Sequence, residues 1–147
     1  MRQAGHLAAF APFIGHDWQA PLPGGPLNDT VHFEWVLGDQ FVRNIHKVRS
    51  SDGETVYEGE AIYAWDSRAE HITWWYWNST GGYITGTVTV DSDGSLVADG
   101  DNRGPTNQID RTHARMRMGN GQWTMATWQE KDGKRTDEPP RLYRPVK

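Results

Sequence analysis

The amino-acid sequence predicts an all-β chain: an antiparallel up-and-down β-barrel of about ten strands with a short N-terminal helix. Three observations carry this. Turn dipeptides recur at near-even intervals, at Gly38-Asp39, Asp52-Gly53, Gly81-Gly82, Asp93-Gly94, Asn120-Gly121 and Asp132-Gly133, and such residues tolerate the positive φ that tight hairpins need. The runs between them are rich in Val, Ile, Thr, Tyr and Trp, which fit a pleated, half-buried surface. Eight tryptophans in 147 residues are more aromatic surface than a small domain leaves in water, so some line a core or a cavity.

Taken in order, Gln3–Phe10 reads as a helical turn or two that closes one end of the barrel. Strands follow near 14–20, 29–37, 40–50, 55–65, 71–79, 83–91, 95–99, 108–118, 122–131 and 138–145. The hairpin registers test one another, because a one-residue slip turns every side chain to the wrong face. A turn at Gly38-Asp39 pairs Trp35 with Val42, Phe33 with Asn44 and Val31 with His46, and sets Glu34 against Arg43 outside. A turn at Asp52-Gly53 puts Lys47 opposite Glu58 outside and Tyr57, Gly59, Ala61, Tyr63 and Trp65 inside. The Asn120-Gly121 turn pairs Arg111 with Glu130 outside and leaves Met116, Met118, Trp123 and Met125 inside. A turn at Gly81-Gly82 places Trp75 and Trp77 beside Ile84, Gly86 and Val88 inside, with Trp74, Tyr76 and Tyr83 outside; this turn is less sharply defined than the others, and the reverse assignment exchanges the two sets. The polar connection Ala98–Gln108 reads as a lid or rim loop. Its Asp99, Asp101 and Asn102 lack the spacing and the glutamate of a calcium loop.

Composition bounds the rest. The length suits one domain over residues 1–147. The absence of cysteine excludes disulfides, thiolate metal sites and cysteine nucleophiles. The net charge of -4 is spread along the chain. Arg111, Arg115 and Arg117 alternate along a strand with Glu130 nearby, which reads as a solvated face, so no nucleic-acid partner is expected. No apolar run nears the ~20 residues of a membrane span, and Pro12 interrupts Leu7–Ala11. A soluble, cytoplasmic protein without a membrane partner is expected.

Phe13-Ile14-Gly15-His16-Asp17-Trp18 resembles the Gly-x-Trp first strand of the calycin superfamily, which holds the lipocalins and fatty-acid-binding proteins, with one residue more between glycine and tryptophan. Leu142-Tyr143-Arg144 resembles its last strand, whose arginine packs across that tryptophan. Phe33–Gly38 with Phe41-Val42-Arg43, Val56–Gly59, and the tract from Trp74-Trp75 through Gly81-Gly82 to Gly86 are similar to a bacterial lipocalin-like family of unknown function. The resemblance implies a barrel with an internal ligand site and no assigned catalytic residues. A related barrel family binds haem through a histidine, whose surroundings have no match here.

His46 is the residue most able to carry chemistry, since its register aims it inward beside Asn44. Such a histidine is either satisfied by a tyrosine hydroxyl or water, or it holds the polar end of a ligand, or it moves a proton, or, as a further option, it is an axial ligand to haem. His32 and His113 point outward and His71 sits at a strand edge; no zinc-ligand spacing occurs. Two readings stay open. In the first, the lumen holds a small hydrophobic or aromatic molecule against Phe33, Trp35, Asn44, His46, Tyr57, Tyr63, Trp75, Trp77, Met116, Trp123, Met125 and Gln129. In the second, the same lumen is an enzyme site for acid/base chemistry (isomerase, cyclase, lyase or hydrolase) through His46, Tyr63 and Asp110. Neither calls for a metal or a cofactor. An outward Trp74, Tyr76 and Tyr83 would form a contact for a homodimer.

Overall fold

In the computed structural model, which describes residues 4–105 and 109–147, helix α1 (Ala4–Leu7) runs on into a 3₁₀ segment over Ala8–Phe13. Gln3 and Gln108, the outer ends of the predicted helix and eighth strand, lie outside the described residues. The strands are β1 (Asp17–Pro21), β2 (Asn28–Val36), β3 (Phe41–Arg49), β4 (Thr55–Asp66), β5 (His71–Asn78), β6 (Tyr83–Val90), β7 (Leu96–Asn102), β8 (Arg111–Gly119), β9 (Gln122–Lys131), β10 (Lys134–Asp137) and β11 (Arg141–Pro145). Successive strands pair antiparallel from β1 to β9; β9 then pairs with β11 and β11 with β1, which closes the barrel. Ala98–Asn102, expected as the start of a rim loop, belongs to β7, where Asp99 faces His113 across the ladder.

β10 and β11 form a single tenth strand line broken by Pro139 and Pro140, which have no N–H for a ladder. The last strand thus begins at Lys134, directly after the Asp132-Gly133 turn, rather than at residue 138. Asp137 faces Trp128, the Glu138 N–H donates to the Thr127 carbonyl at 3.0 Å, and Arg141 faces Met125. The two prolines therefore oppose the single residue Ala126, a one-residue bulge that shifts the inward parity. Glu138, Arg141 and Tyr143 all line the lumen as a result.

Three predicted registers hold. Val31 pairs with His46, Phe33 with Asn44 and Glu34 with Arg43; Lys47 with Glu58; Arg111 with Glu130 and Met118 with Trp123. The hairpin between β5 and β6 differs. Trp77 pairs with Tyr83, leaving a five-residue loop over 78–82 rather than a two-residue turn at Gly81-Gly82. Asn78 builds that loop: its Oδ1 accepts from the N–H groups of Thr80 and Gly82 at 3.0 and 3.1 Å, and its backbone carbonyl accepts from Gly81 at 3.0 Å. The odd shift turns β5 over. Trp74 and Tyr76 face the lumen, while Trp75, Trp77 and Tyr83 lie on the outer face, with Trp77 46 % and Tyr83 39 % exposed. Of the three residues expected in a dimer contact, only Tyr83 is outside.

The N-terminal segment plugs one end, as predicted. Leu7 and Phe10 are fully buried; the Phe10 ring lies 4.4 Å from Tyr63, and Phe13 lies 5.3 Å from both Phe33 and Trp123. His6 stacks on Trp65 at 3.9 Å. Burial of each of these large apolar side chains stabilises by ~1.5–3 kcal/mol, which holds a short helical segment in the barrel mouth. The Trp18 indole donates to the Phe13 carbonyl at 2.8 Å and tightens the seal. Arg144 does not cross Trp18: it pairs with Gln19 on the exposed face, and Tyr143, one residue away, turns inward and stacks on Trp123 at 4.0 Å.

Candidate functional site

The barrel keeps a cavity of about 320 Å³. Near the plug its wall is apolar, with Phe33, Trp74, Met116, Trp123 and Met125; toward the other end it carries Asn102, Thr112 and Gln129, while Asn44 lines it level with Phe33. Tyr63 also lines it, on the plugged side against Phe10 and Trp74. Burial pushes the Tyr63 phenol well above the ordinary tyrosine range, so it stays protonated.

A hydrogen-bonded chain runs through the polar half. Asp29, buried to 2 % exposure, faces His46 Nδ1 across 3.0 Å. His46 Nε2 lies 2.7 Å from the Tyr76 hydroxyl, which lies 2.9 Å from the Tyr57 hydroxyl. On its other oxygen Asp29 accepts from Tyr143 at 2.6 Å, with the Arg141 guanidinium 3.9 Å away. A buried carboxylate needs such donors, because uncompensated burial of its charge is costly. Burial, and then the bond from Tyr57, push the Tyr76 phenol far up. Burial, and then the neighbouring Asp29 charge, do the same to Tyr143.

Local sequence explains the assembly. Asp29 follows Val31 and Phe33 in the inward alternation of β2, diagonal to His46 on β3. Gly59 faces His46 directly on β4, and a Cβ there would collide with the Tyr76 ring and hydroxyl. The glycine opens the space through which Tyr76 reaches the imidazole. The bulge at Pro139-Pro140 aims Tyr143 at Asp29.

The structure brings Asn44, His46, Tyr57 and Gln129 to the lumen, together with the apolar residues named above. Trp35 packs at the edge of the core. Trp75 and Trp77 are excluded by the flipped β5. Asp110 is excluded too: its carboxylate accepts from the Asp132 N–H at 2.9 Å and meets Lys131 at 3.5 Å outside the barrel. These hydrogen bonds, the one from Asp132 foremost, hold its carboxyl below the usual range. Asp29, Tyr76 and Tyr143 were missed by sequence reasoning; the one signal for Asp29 is a lone acid in an otherwise apolar inward row. Both nitrogens of His46 are engaged by Asp29 and Tyr76, so the ring has none to offer a haem iron or other metal as it stands. Among the described residues no group of three acidic or imidazole side chains could hold a metal ion. Two further polar groups, Trp123 Nε1 and Thr127 Oγ1, are buried without a protein partner, and both residues line the cavity.

Among the described residues no helix is long and apolar enough to cross a membrane. No family model matches the chain, and no curated protein matches it. The crystal structure of Rv2717c from M. tuberculosis is similar, with a TM-score of 0.70 at 15% identity over 97% of this chain and 98% of that one. At this identity the likeness concerns the fold alone. What the two share is the closed antiparallel β-barrel.

Proposed function

We propose that the barrel binds a small, largely apolar or aromatic molecule in its lumen, with the apolar body toward the plug and a polar end at the Tyr57–Tyr76–His46 chain. The observation that supports this is the division of one cavity into an aromatic half and a hydrogen-bonded half, at a size near the lower end of the ~300–1,000 Å³ usual for ligand sites. Trp74 and Trp123 line it and serve as internal reporters. Titration with a panel of flat hydrophobic compounds is expected to quench or shift tryptophan emission for at least one of them. A folded sample that responds to none rejects the reading.

A second reading, acid/base catalysis in the same lumen, is favoured by one feature: a buried carboxylate orients His46, and the imidazole connects through Tyr76 to the cavity. This is the arrangement of an oriented general base. Under it His46→Gln retains ligand binding and abolishes turnover. If a compound that binds is never converted by the wild type, the binding reading alone stands.

A further inference from the structure

The direction of the hydrogen bonds in the lumen is set at its buried end. Asp29, as a carboxylate, only accepts; it takes hydrogens from Tyr143 and from His46 Nδ1. In the neutral ring this leaves Nε2 as an acceptor, and the hydroxyl that faces it, 2.7 Å away, is that of Tyr76. With its hydrogen directed to His46, the Tyr76 oxygen accepts from Tyr57 at 2.9 Å. Tyr57 has one hydroxyl hydrogen, and it is used. What Tyr57 offers the cavity is a lone pair.

Charge narrows the ligand further. Among the described residues, and besides tyrosines, the ionisable side chains that line the cavity are Asp29, His46, Glu138 and Arg141. Arg141 is the one arginine among them, it lies beside Asp29 at 3.9 Å, and it is outnumbered by the two carboxylates. No surplus positive charge is left for an anionic head group. Asn44 and Asn102 each commit one amide N–H, to the His32 carbonyl at 3.4 Å and to Thr112 Oγ1 at 2.7 Å, and neither amide belongs to the chain that ends on Tyr57.

Resting on the reading of the lumen as a ligand site, we infer that its ligand is a neutral, flat, largely apolar molecule whose polar head is an N–H or O–H donor, received by the Tyr57 oxygen. At Tyr57, ketones, ethers and carboxylates of the same shape are discriminated against, because there each brings an acceptor to an acceptor; the unpartnered Trp123 Nε1 belongs to the plugged side, beside Phe13.

Calorimetric titration at mildly alkaline pH tests this with three probes of one shape. Indole presents an N–H, benzofuran an oxygen in its place, and benzofuran carboxylate an anion. Indole is expected to bind roughly fivefold more tightly than benzofuran, the worth of one neutral hydrogen bond, and the carboxylate most weakly. In Tyr57→Phe the ratio of indole to benzofuran falls to within about twofold, since the acceptor is gone. Benzofuran or its carboxylate binding as well as indole, or a variant that keeps the full preference, overturns the inference while the ligand site stands. If none of the three binds the folded protein, the ligand-site reading itself fails. The wild-type ranking decides the matter even without the variant.

Discussion

His46 and His113 are each met by an aspartate at Nδ1, Asp29 at 3.0 Å inside the barrel and Asp99 at 2.5 Å outside it. Beyond that contact they part. His113 Nε2 faces Glu130 at 2.7 Å, and Trp128 stacks on the ring at 5.3 Å, with Arg135 4.8 Å from the indole centroid. The outer arrangement is complete: both nitrogens meet carboxylates, and those carboxylates are a third or more exposed. His46 Nε2 instead meets a tyrosine hydroxyl, and the chain continues through a second hydroxyl to the edge of a cavity. The same residue type on the same sheet is a clasp between strands in one place and the inner end of an unfinished hydrogen-bond chain in the other. What distinguishes them is whether the second partner is a terminal acceptor or a group that passes the interaction on.

The sharpest way to break that contrast is to remove the two aspartates in turn. Asp29→Ala leaves His46 and Tyr143 without their acceptor and Arg141 without its counter-charge, all in a buried setting. A loss of about 3 kcal/mol is expected in urea unfolding. Asp99→Ala removes a partly exposed partner that water replaces, and costs under about 1 kcal/mol. Equal losses would mean that burial does not separate the two clusters.

A smaller effect tests the route from His46 to the cavity. Gly59→Ala sets a methyl group against the Tyr76 ring and hydroxyl, so Tyr76 withdraws from His46. Overpacking of this kind costs about 2 kcal/mol. The Tyr57-dependent preference for indole is expected to disappear with it, because the hydroxyl that orients Tyr57 has moved. Unchanged stability together with an unchanged preference would show that Tyr76 has room the glycine does not provide.

The contrast also marks how far the sequence can be read. Cross-strand charge pairs and turn dipeptides located three hairpins and with them His46, Asn44 and Tyr57, because register and parity are enough to aim a side chain. Parity failed where the loop length was wrong. Asn78 caps a five-residue loop with its side chain, which no dipeptide signal reveals, and the whole of β5 turned over with Trp75 and Trp77. The tight connection from Asp66 to His71 would have corrected it: Asp66 Oδ1 accepts from the N–H groups of Arg68 and Ala69 at 3.0 and 2.9 Å, and pairing back from there sets Tyr63 beside Trp74. Tyr143 was hidden for a different reason. Two successive prolines announce a break in a ladder but do not say that one residue is bulged out, and only the bulge turns Tyr143 toward Asp29. Asp29 itself is 114 positions from Tyr143, a separation that no local pattern bridges.

The smallest expected effect concerns a third histidine, which completes the comparison because it is a clasp in plain view of solvent. His32 lies on the outer face of β2 with Asp17 at 2.6 Å from Nδ1 and Glu34 at 3.3 Å from Nε2. Partial burial works against its charged form, but the hydrogen bonds to Asp17 and Glu34, and then their charges, outweigh it and raise its pKa above the ordinary value of 6.5. A raised folded-state pKa means that the protonated ring favours the fold. That contribution is fully present below the ordinary imidazole range and is lost as pH rises through the folded-state value. His32 is 44% exposed, so solvent screening holds the contribution to about 0.5 kcal/mol or less. The difference in unfolding free energy between wild type and His32→Gln is therefore expected to be largest in mildly acidic solution, to shrink as pH rises through the folded-state value, and to shrink again with added salt. A difference that instead grows toward alkaline pH would reverse the sign of the coupling, and His32 would then be held by its neutral ring rather than by its charge.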